Sequence, residues 1–180
     1  MIRERDGIHI EYKNKYVADS RKSSGDVNFV SHAHFDHLHQ GNSNVVCSDQ
    51  TAALTTARTG KETEYGEHNE VEMFDSGHII GSKSALFNLE DKVLYTGDFS
   101  TRDRLYLDGF RPVDADVLII ETTYGIPAYR FPDYRDIESE IIDWIQDNDQ
   151  PLFLFGYSLG KAQKIQKIVQ EATERPIIAH

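Results

Sequence analysis

Seven residues, Ser31-His32-Ala33-His34-Phe35-Asp36-His37, constrain this chain more than any others. They follow the apolar run Val27 to Val30, which reads as a strand, so they occupy the loop at the strand's end. Imidazole nitrogen and carboxylate oxygen are the preferred non-thiol ligands of zinc. Alternation sends His32 and His34 to one side of the loop. Asp36 and His37 come after the bend and can face a second position. One loop can therefore serve two adjacent metal ions. Two further strand ends carry single candidate ligands. His78 follows the strand Val71 to Phe74 through Asp75-Ser76-Gly77, and Asp98 follows Val93 to Tyr95 through Thr96-Gly97. Alone, each reads as an ordinary loop residue; behind the histidine cluster, each reads as a ligand. His39 reads as a surface residue or, less strongly, as support for the ligands.

The remaining pattern divides in two. The first hundred residues are strand-rich. Ile8, Ile10 and Tyr12 alternate, Lys13-Asn14-Lys15 turns, and Tyr16 to Asp19 returns. Val45 to Cys47 is a short strand, and Ser48 caps a helix from Asp49 to Arg58 that Gly60 closes. Strands follow at Val71 to Phe74, Ala85 to Leu89 and Val93 to Thr96. Beyond residue 114 the pattern becomes β-α-β-α-β. Asp116 to Glu121 is a strand. Asp133 to Gln146 is a helix with Tyr134, Ile137, Ile141, Trp144 and Ile145 on one face. Pro151 to Phe155 is a strand, Ser158 caps a second helix, and Pro176 to Ala179 begins a strand. That alternation predicts a parallel sheet. The expected domains are 1–125, carrying the histidines, and 126–180, the start of an α/β unit.

The segment Phe155 to Lys161 joins a strand to a helix. Backbone N–H groups at a helix start favour anions, and Ser158, Gly160 and Lys161 add a hydroxyl, a small residue and a charge. Its spacing is not that of a P-loop. A simple capped turn is the competing reading.

The order His32-x-His34-x-Asp36-His37, then His78, then Asp98, resembles the metallo-β-lactamase superfamily. Glu121-Thr122-Thr123-Tyr124-Gly125 resembles the segment that marks its β-CASP branch, which acts on nucleic acids. Thr123 to Pro132 and Tyr157 to Gln163 are similar to ligase-associated DNA exonucleases and their archaeal mRNA 3′-end processing factor-like relatives. The loop Tyr157-Ser158-Leu159-Gly160-Lys161 is similar to one in crosslink-repair exonucleases. The resemblance implies the N-terminal half of an αββα sandwich of mixed α+β and α/β character, followed by the start of a β-CASP-like parallel α/β insert. It implies zinc, with manganese or iron as substitutes, in one or two positions. His32, His34 and His78 would hold one ion, Asp36 and His37 another, and Asp98 would bridge them. Asp36, His37 and Asp98 would be the catalytic centre of a metal-dependent nuclease active in DNA repair or RNA processing, with DNA favoured over RNA as partner. Asp19 and Glu121 would support the ligands. Ser158, Gly160 and Lys161 would bind a terminal 5′-phosphate. Family members supply one more histidine from a later segment, so a C-terminal half or partner subunit is expected to complete the shell; His180 is not assigned to that role.

Charge and composition limit these readings. The net charge is −11, which argues against a generally basic nucleic-acid binder, so a polyanion must be held locally. Cys47 is the only cysteine, the N-terminus has no apolar run, and no stretch approaches the ~18 apolar residues of a spanning helix. The expectation is a soluble cytoplasmic protein without a membrane partner. Two alternatives stay open: a small-substrate hydrolase of the same superfamily, and a non-catalytic metal-binding or scaffold protein.

Overall fold

A computed structural model describes residues 1–22, 24–41, 44–62 and 64–178. The chain separates into two compact units, 1–103 with 107–121, and 104–106 with 122–180.

The first unit holds two sheets. In one, β1 (Ile2–Glu4), β2 (Ile8–Glu11), β3 (Lys15–Ala18), β4 (Val27–Phe29), β5 (Val45–Val46) and β6 (Tyr65–Gly66) lie in chain order. The hairpins β1–β2 and β2–β3 are antiparallel, and β3 to β6 run parallel. The other sheet has the order β10-β9-β8-β7, from β7 (Val71–Asp75), β8 (Lys83–Asn88), β9 (Lys92–Tyr95) and β10 (Val117–Ile119). Its β10–β9 pair is parallel and the rest are antiparallel. One core draws side chains from both sheets: Ile10, Tyr16, Ala18, Val27, Phe29 and Val46 from the first, Ala85, Phe87 and Val93 from the second. Edge-to-face contacts of Phe87 with Tyr16 (5.6 Å) and Phe29 (6.3 Å) lock that core. Strand periodicity turns Leu86 and Leu94 to the opposite face, where they pack on Phe110.

Helix α1 (Asp49–Thr59) forms where its caps require. The Ser48 hydroxyl accepts from Thr51 N at 3.1 Å, and Gly60 closes the helix at φ 70°. The same Ser48 hydroxyl donates to Gly81 O at 2.6 Å, and Thr51 Oγ1 does so at 3.0 Å. The helix start thereby pins the turn that follows His78.

The second unit contains α2 (Tyr134–Gln146) and α3 (Lys161–Ala172). Ile145, Ile168 and Ala172 are buried in their shared core, with Ile141, Leu152 and Val169 against them. Arg175 ties the pair down, its guanidinium donating to the carbonyls of Ile145 (2.7 Å) and Asn148 (2.7 Å).

Several expected elements differ. Pro151 to Phe155 and Pro176 to Ile178 form no ladder, and no strand occurs among the described residues of the second unit; Ala179 and His180 lie outside them. A strand is stable only when an adjacent strand accepts its hydrogen bonds. Neither segment has such a neighbour, and Phe153 and Phe155 are 83% and 87% exposed. The expected strand Asp116 to Glu121 shortens to β10, and its parallel partner is β9 of the first unit rather than a strand of a separate α/β sheet. Ser158 is not the cap of α3; Gly160, at φ 87°, is. Trp144 remains 48% exposed although the helical pattern turned it inward.

Candidate metal centre

The three loops that carry the cluster leave strand ends, and each is built to be rigid. Ser31 and His32 continue the line of β4 through a bond from Val30 N to Val46 O. Gly77, at φ 69°, sits where a Cβ would meet Ser100 O at 2.6 Å. Gly97, at φ 56°, sits where a Cβ would meet Ser31 Cβ at 2.7 Å. Only glycine tolerates both the dihedral and the approach. The buried Ser76 hydroxyl donates to Asp98 O at 2.9 Å, so the His78 and Asp98 loops are tied to each other. Ser82 Oγ accepts from the N–H groups of His78 (3.2 Å) and Ile79 (3.1 Å).

These loops bring four donors together. One ligand atom each from His32, His34, His78 and Asp98 lies within 4.8 Å of the others. His32 Nε2 is 2.9 Å from His34 Nδ1, which is 3.4 Å from His78 Nε2. Asp98 Oδ2 is 3.4 Å from His78 Nε2 and 3.8 Å from His32 Nε2. Tetrahedral zinc with bonds near 2.0–2.1 Å sets its ligand atoms roughly 3.3 Å apart. The donor set therefore fits a zinc-sized ion in chemistry and in spacing. The other Asp98 oxygen, Oδ1, lies 3.9 Å from His37 Nε2, and Asp36 Oδ2 lies 3.5 Å from the same nitrogen. Asp36 is largely exposed, unlike the rest.

Asp19 organises the cluster from behind. It is buried, in the left-handed region at φ 49°. Its Oδ1 accepts from Ser31 N at 2.7 Å; its Oδ2 accepts from Ser31 Oγ at 2.5 Å, from His37 Nδ1 at 2.9 Å and from Tyr95 OH at 2.8 Å. Distance alone would also group Asp19 with His32 and His37 as ligands. Four accepted hydrogen bonds, three of them on Oδ2, already anchor this carboxylate to the loops behind the cluster, which suits a supporting role. By holding His37 Nδ1, Asp19 leaves Nε2 directed at Asp36 and Asp98. Ser31 Oγ, 2.8 Å from His32 Nδ1, does the same for His32 Nε2.

Electrostatics follow the geometry. Burial, then the neighbouring imidazoles, push His32 far below the ordinary histidine range, so it is a neutral donor. Burial also opposes charge on His37, but the Asp19 hydrogen bond and the carboxylates of Asp19, Asp98 and Asp36 outweigh it and raise it to about 9. Burial raises Asp98, with the charges of Glu121, Asp19 and Asp36 adding to that and His37 opposing it. Burial and Asp19 raise the Tyr95 phenol, which keeps its proton and donates it. A divalent cation would relieve the crowding of carboxylates here.

Glu121 thus acts on Asp98 through its charge. His39 turns away, its Nδ1 bonding to Ser20 O at 3.1 Å. Nothing in the sequence alone marks Ser31 or Tyr95 as part of the site. Tyr95 looked like one more apolar strand residue, and only its position two residues before the Gly97-Asp98 turn hinted at more.

In the second unit, the expected phosphate loop is partly closed. Gly160 N donates to Gln163 Oε1 at 2.7 Å, and Ala162 N to Tyr157 O at 3.1 Å. Those two N–H groups are paired within the loop. The cations are the stronger feature. Lys164, one turn beyond Gly160, is partly buried, and burial with the charges of Arg104 and Lys161 lowers it to about 8.

No helix among the described residues is long and apolar enough to cross a membrane. No family model matches the chain. Individual proteins do. It is 35% identical to a probable DNA ligase of Opitutus terrae over 84% of its own length and 16% of the ligase. It is 36% identical to cleavage and polyadenylation specificity factor subunit 3 of Dictyostelium discoideum, over 69% of the chain and 17% of that protein. An RNase J-like protein of Methanocaldococcus jannaschii is 32% identical over 61% of the chain and 27% of that protein. The chain spans between 16% and 27% of the length of these relatives. Its homologues are thus DNA ligase-associated proteins and the cleavage-factor and RNase J-like members of the β-CASP metallo-β-lactamase family, matched over roughly the N-terminal part of the chain.

Proposed function

We propose that this chain is the metal-holding part of a zinc-dependent phosphodiesterase that cleaves nucleic acid, as a DNA 5′-exonuclease-like or RNA-processing nuclease. The observation that carries this is the division of Asp98, one oxygen toward His32 and His78 and the other toward His37. Residues 1–125 would be the first half of a metallo-β-lactamase αββα sandwich, and 126–180 the start of a β-CASP-like α/β domain. A later segment or a partner subunit would supply one more ligand.

His32, His34, His78 and Asp98 would hold one ion, and His37 and Asp36 would share Asp98 for a second. Bound zinc, or manganese or iron in its place, supplies Lewis acidity toward a phosphoryl oxygen and a nucleophile available at neutral pH. The chain's own residues prepare the site. Ligation through His37 Nε2 requires that nitrogen to release its proton while Nδ1–H stays on Asp19. Ser31 keeps His32 Nε2 facing the donors. Asp36, exposed beside His37, would also take or return a proton at the edge of the site through the oxygen that does not hold the ion. Ser158 and Lys161, with Lys164 and Arg104 adding positive charge near Lys161, would receive a terminal phosphate, and Gly160 would join them by exchanging the Gln163 bond of its N–H for the phosphate. DNA ahead of RNA as the substrate is part of the proposal. Two of the relatives, a cleavage and polyadenylation factor and an RNase J-like protein, support nucleic acid as the substrate class.

The test combines metal analysis with hydrolysis. Purified protein from metal-replete medium is expected to carry a transition metal, and, with the later segment or partner subunit present, Asp36→Asn and His37→Ala are expected to abolish cleavage of a 5′-phosphorylated oligonucleotide while the fold persists. Wild-type turnover in either variant, with contaminating nuclease excluded, overturns the catalytic roles of Asp36 and His37.

A further inference from the structure

Tyr124, Tyr129 and Phe131 form an aromatic cluster in the second unit for which neither the metal centre nor the cationic loop provides a role. The rings of Tyr129 and Phe131 are parallel to within 4°, with centroids 6.4 Å apart. Tyr124 meets both edge-on, at 5.2 Å and 5.3 Å. Edge-to-face contact is a favourable arrangement that fixes ring orientation. Yet the three side chains are 60%, 50% and 52% exposed. Here the rings brace one another and leave their surfaces to solvent. Arg130, between the parallel pair in sequence, is exposed as well. The order is ring, cation, ring on a chain whose net charge is −11.

We propose that Tyr129 and Phe131, braced by Tyr124, are a stacking platform for the bases of a single-stranded nucleic acid, with Arg130 meeting its phosphate. The identity of the polymer rests on the nuclease reading above. Every base has a planar face that an aromatic ring can stack on, whatever its sequence, and a nearby guanidinium adds charge that a strand backbone complements. Orientation favours a planar ligand over a polypeptide, since an apolar protein surface needs bulk and not parallel faces.

The experiment is binding of a single-stranded oligonucleotide containing 2-aminopurine, in chelator so that no hydrolysis contributes. Tyr129→Leu and Phe131→Leu keep apolar bulk and remove the ring; Tyr129→Phe keeps the ring. Both positions are exposed, and circular dichroism checks that the helices persist. Each Leu variant is expected to weaken binding by roughly tenfold, within the range for losing one base–aromatic stack, and to lose the fluorescence change on binding. Tyr129→Phe is expected to retain both. Unchanged affinity in the Leu variants, or no binding by the unaltered chain, overturns the platform. The metal-restored reaction separates the two readings. Stacking without hydrolysis, when the segment or subunit that supplies the last ligand is present, sinks the nuclease reading alone, and hydrolysis with binding indifferent to the rings sinks the platform alone.

Discussion

The phenol of Tyr95 donates to Asp19 Oδ2 at 2.8 Å, the same oxygen that holds His37 Nδ1 at 2.9 Å. A residue at the end of β9 thereby helps to set the ring angle of a histidine that follows β4. Groups that orient a ligand without touching the ion typically change metal affinity by ~10–100-fold when removed. Asp19→Ala is expected to weaken binding across that range. Tyr95→Phe, which spares the other three hydrogen bonds of Asp19, is expected to fall near its lower end. Competition titration against a chromophoric chelator measures both. Unaltered affinity in Asp19→Ala would remove the carboxylate from the site's architecture.

Gly97 makes a second connection between the same loops. A methyl group there would sit 2.7 Å from Ser31 Cβ and 2.9 Å from Ser31 Oγ, at a φ of 56° that alanine adopts poorly. Left-handed strain in a non-glycine residue costs ~1–3 kcal/mol, and the clash with Ser31 adds to it. Gly97→Ala is expected to lower the melting temperature and to weaken metal binding, because Ser31 must move and Ser31 holds both Asp19 and His32. Gly60→Ala is the control. It shares a positive φ of 70° but has nothing within 4 Å of its added methyl. It should lose stability without losing metal affinity; equal metal loss in both variants would contradict the role of close packing.

Lys164 is expected to make the stability of the second unit depend on pH. Burial, with Arg104 and Lys161 adding to it, lowers its folded value to about 8 from an unfolded value of 10.5. Below pH 8 the lysine is charged in both states, and the folded state carries the full penalty. Between pH 8 and 10.5 the unfolded state binds more protons, so stability from this group rises with pH. Above that window the penalty is gone. Lys164→Met removes the group, so its stabilising effect should be largest near pH ~7 and shrink by pH ~10. Melting curves of both chains at the two pH values decide it; a difference that grows with pH would show that the penalty has another source.

The sequence by itself determined the local features. The apolar run into Ser31-His32-Ala33-His34-Phe35-Asp36-His37 announced a strand and a loop of candidate ligands. Ser48 and Gly60 announced both ends of α1, and single candidate ligands after short strands marked His78 and Asp98. Each is a contest between near neighbours in the chain: side-chain period, capping hydroxyl, left-handed glycine. What only the tertiary structure decided was pairing across distance. Nothing local to Asp19 says that four donors will converge on it, because they come from Ser31, His37 and Tyr95 on other elements. Nothing local to Val117 says that its parallel partner is Val93. The segments 151–155 and 176–178 show the converse. Their residues have strand character, yet a strand exists only where a neighbour supplies its hydrogen bonds, and burial of Phe153 and Phe155 needs a surface to bury them against.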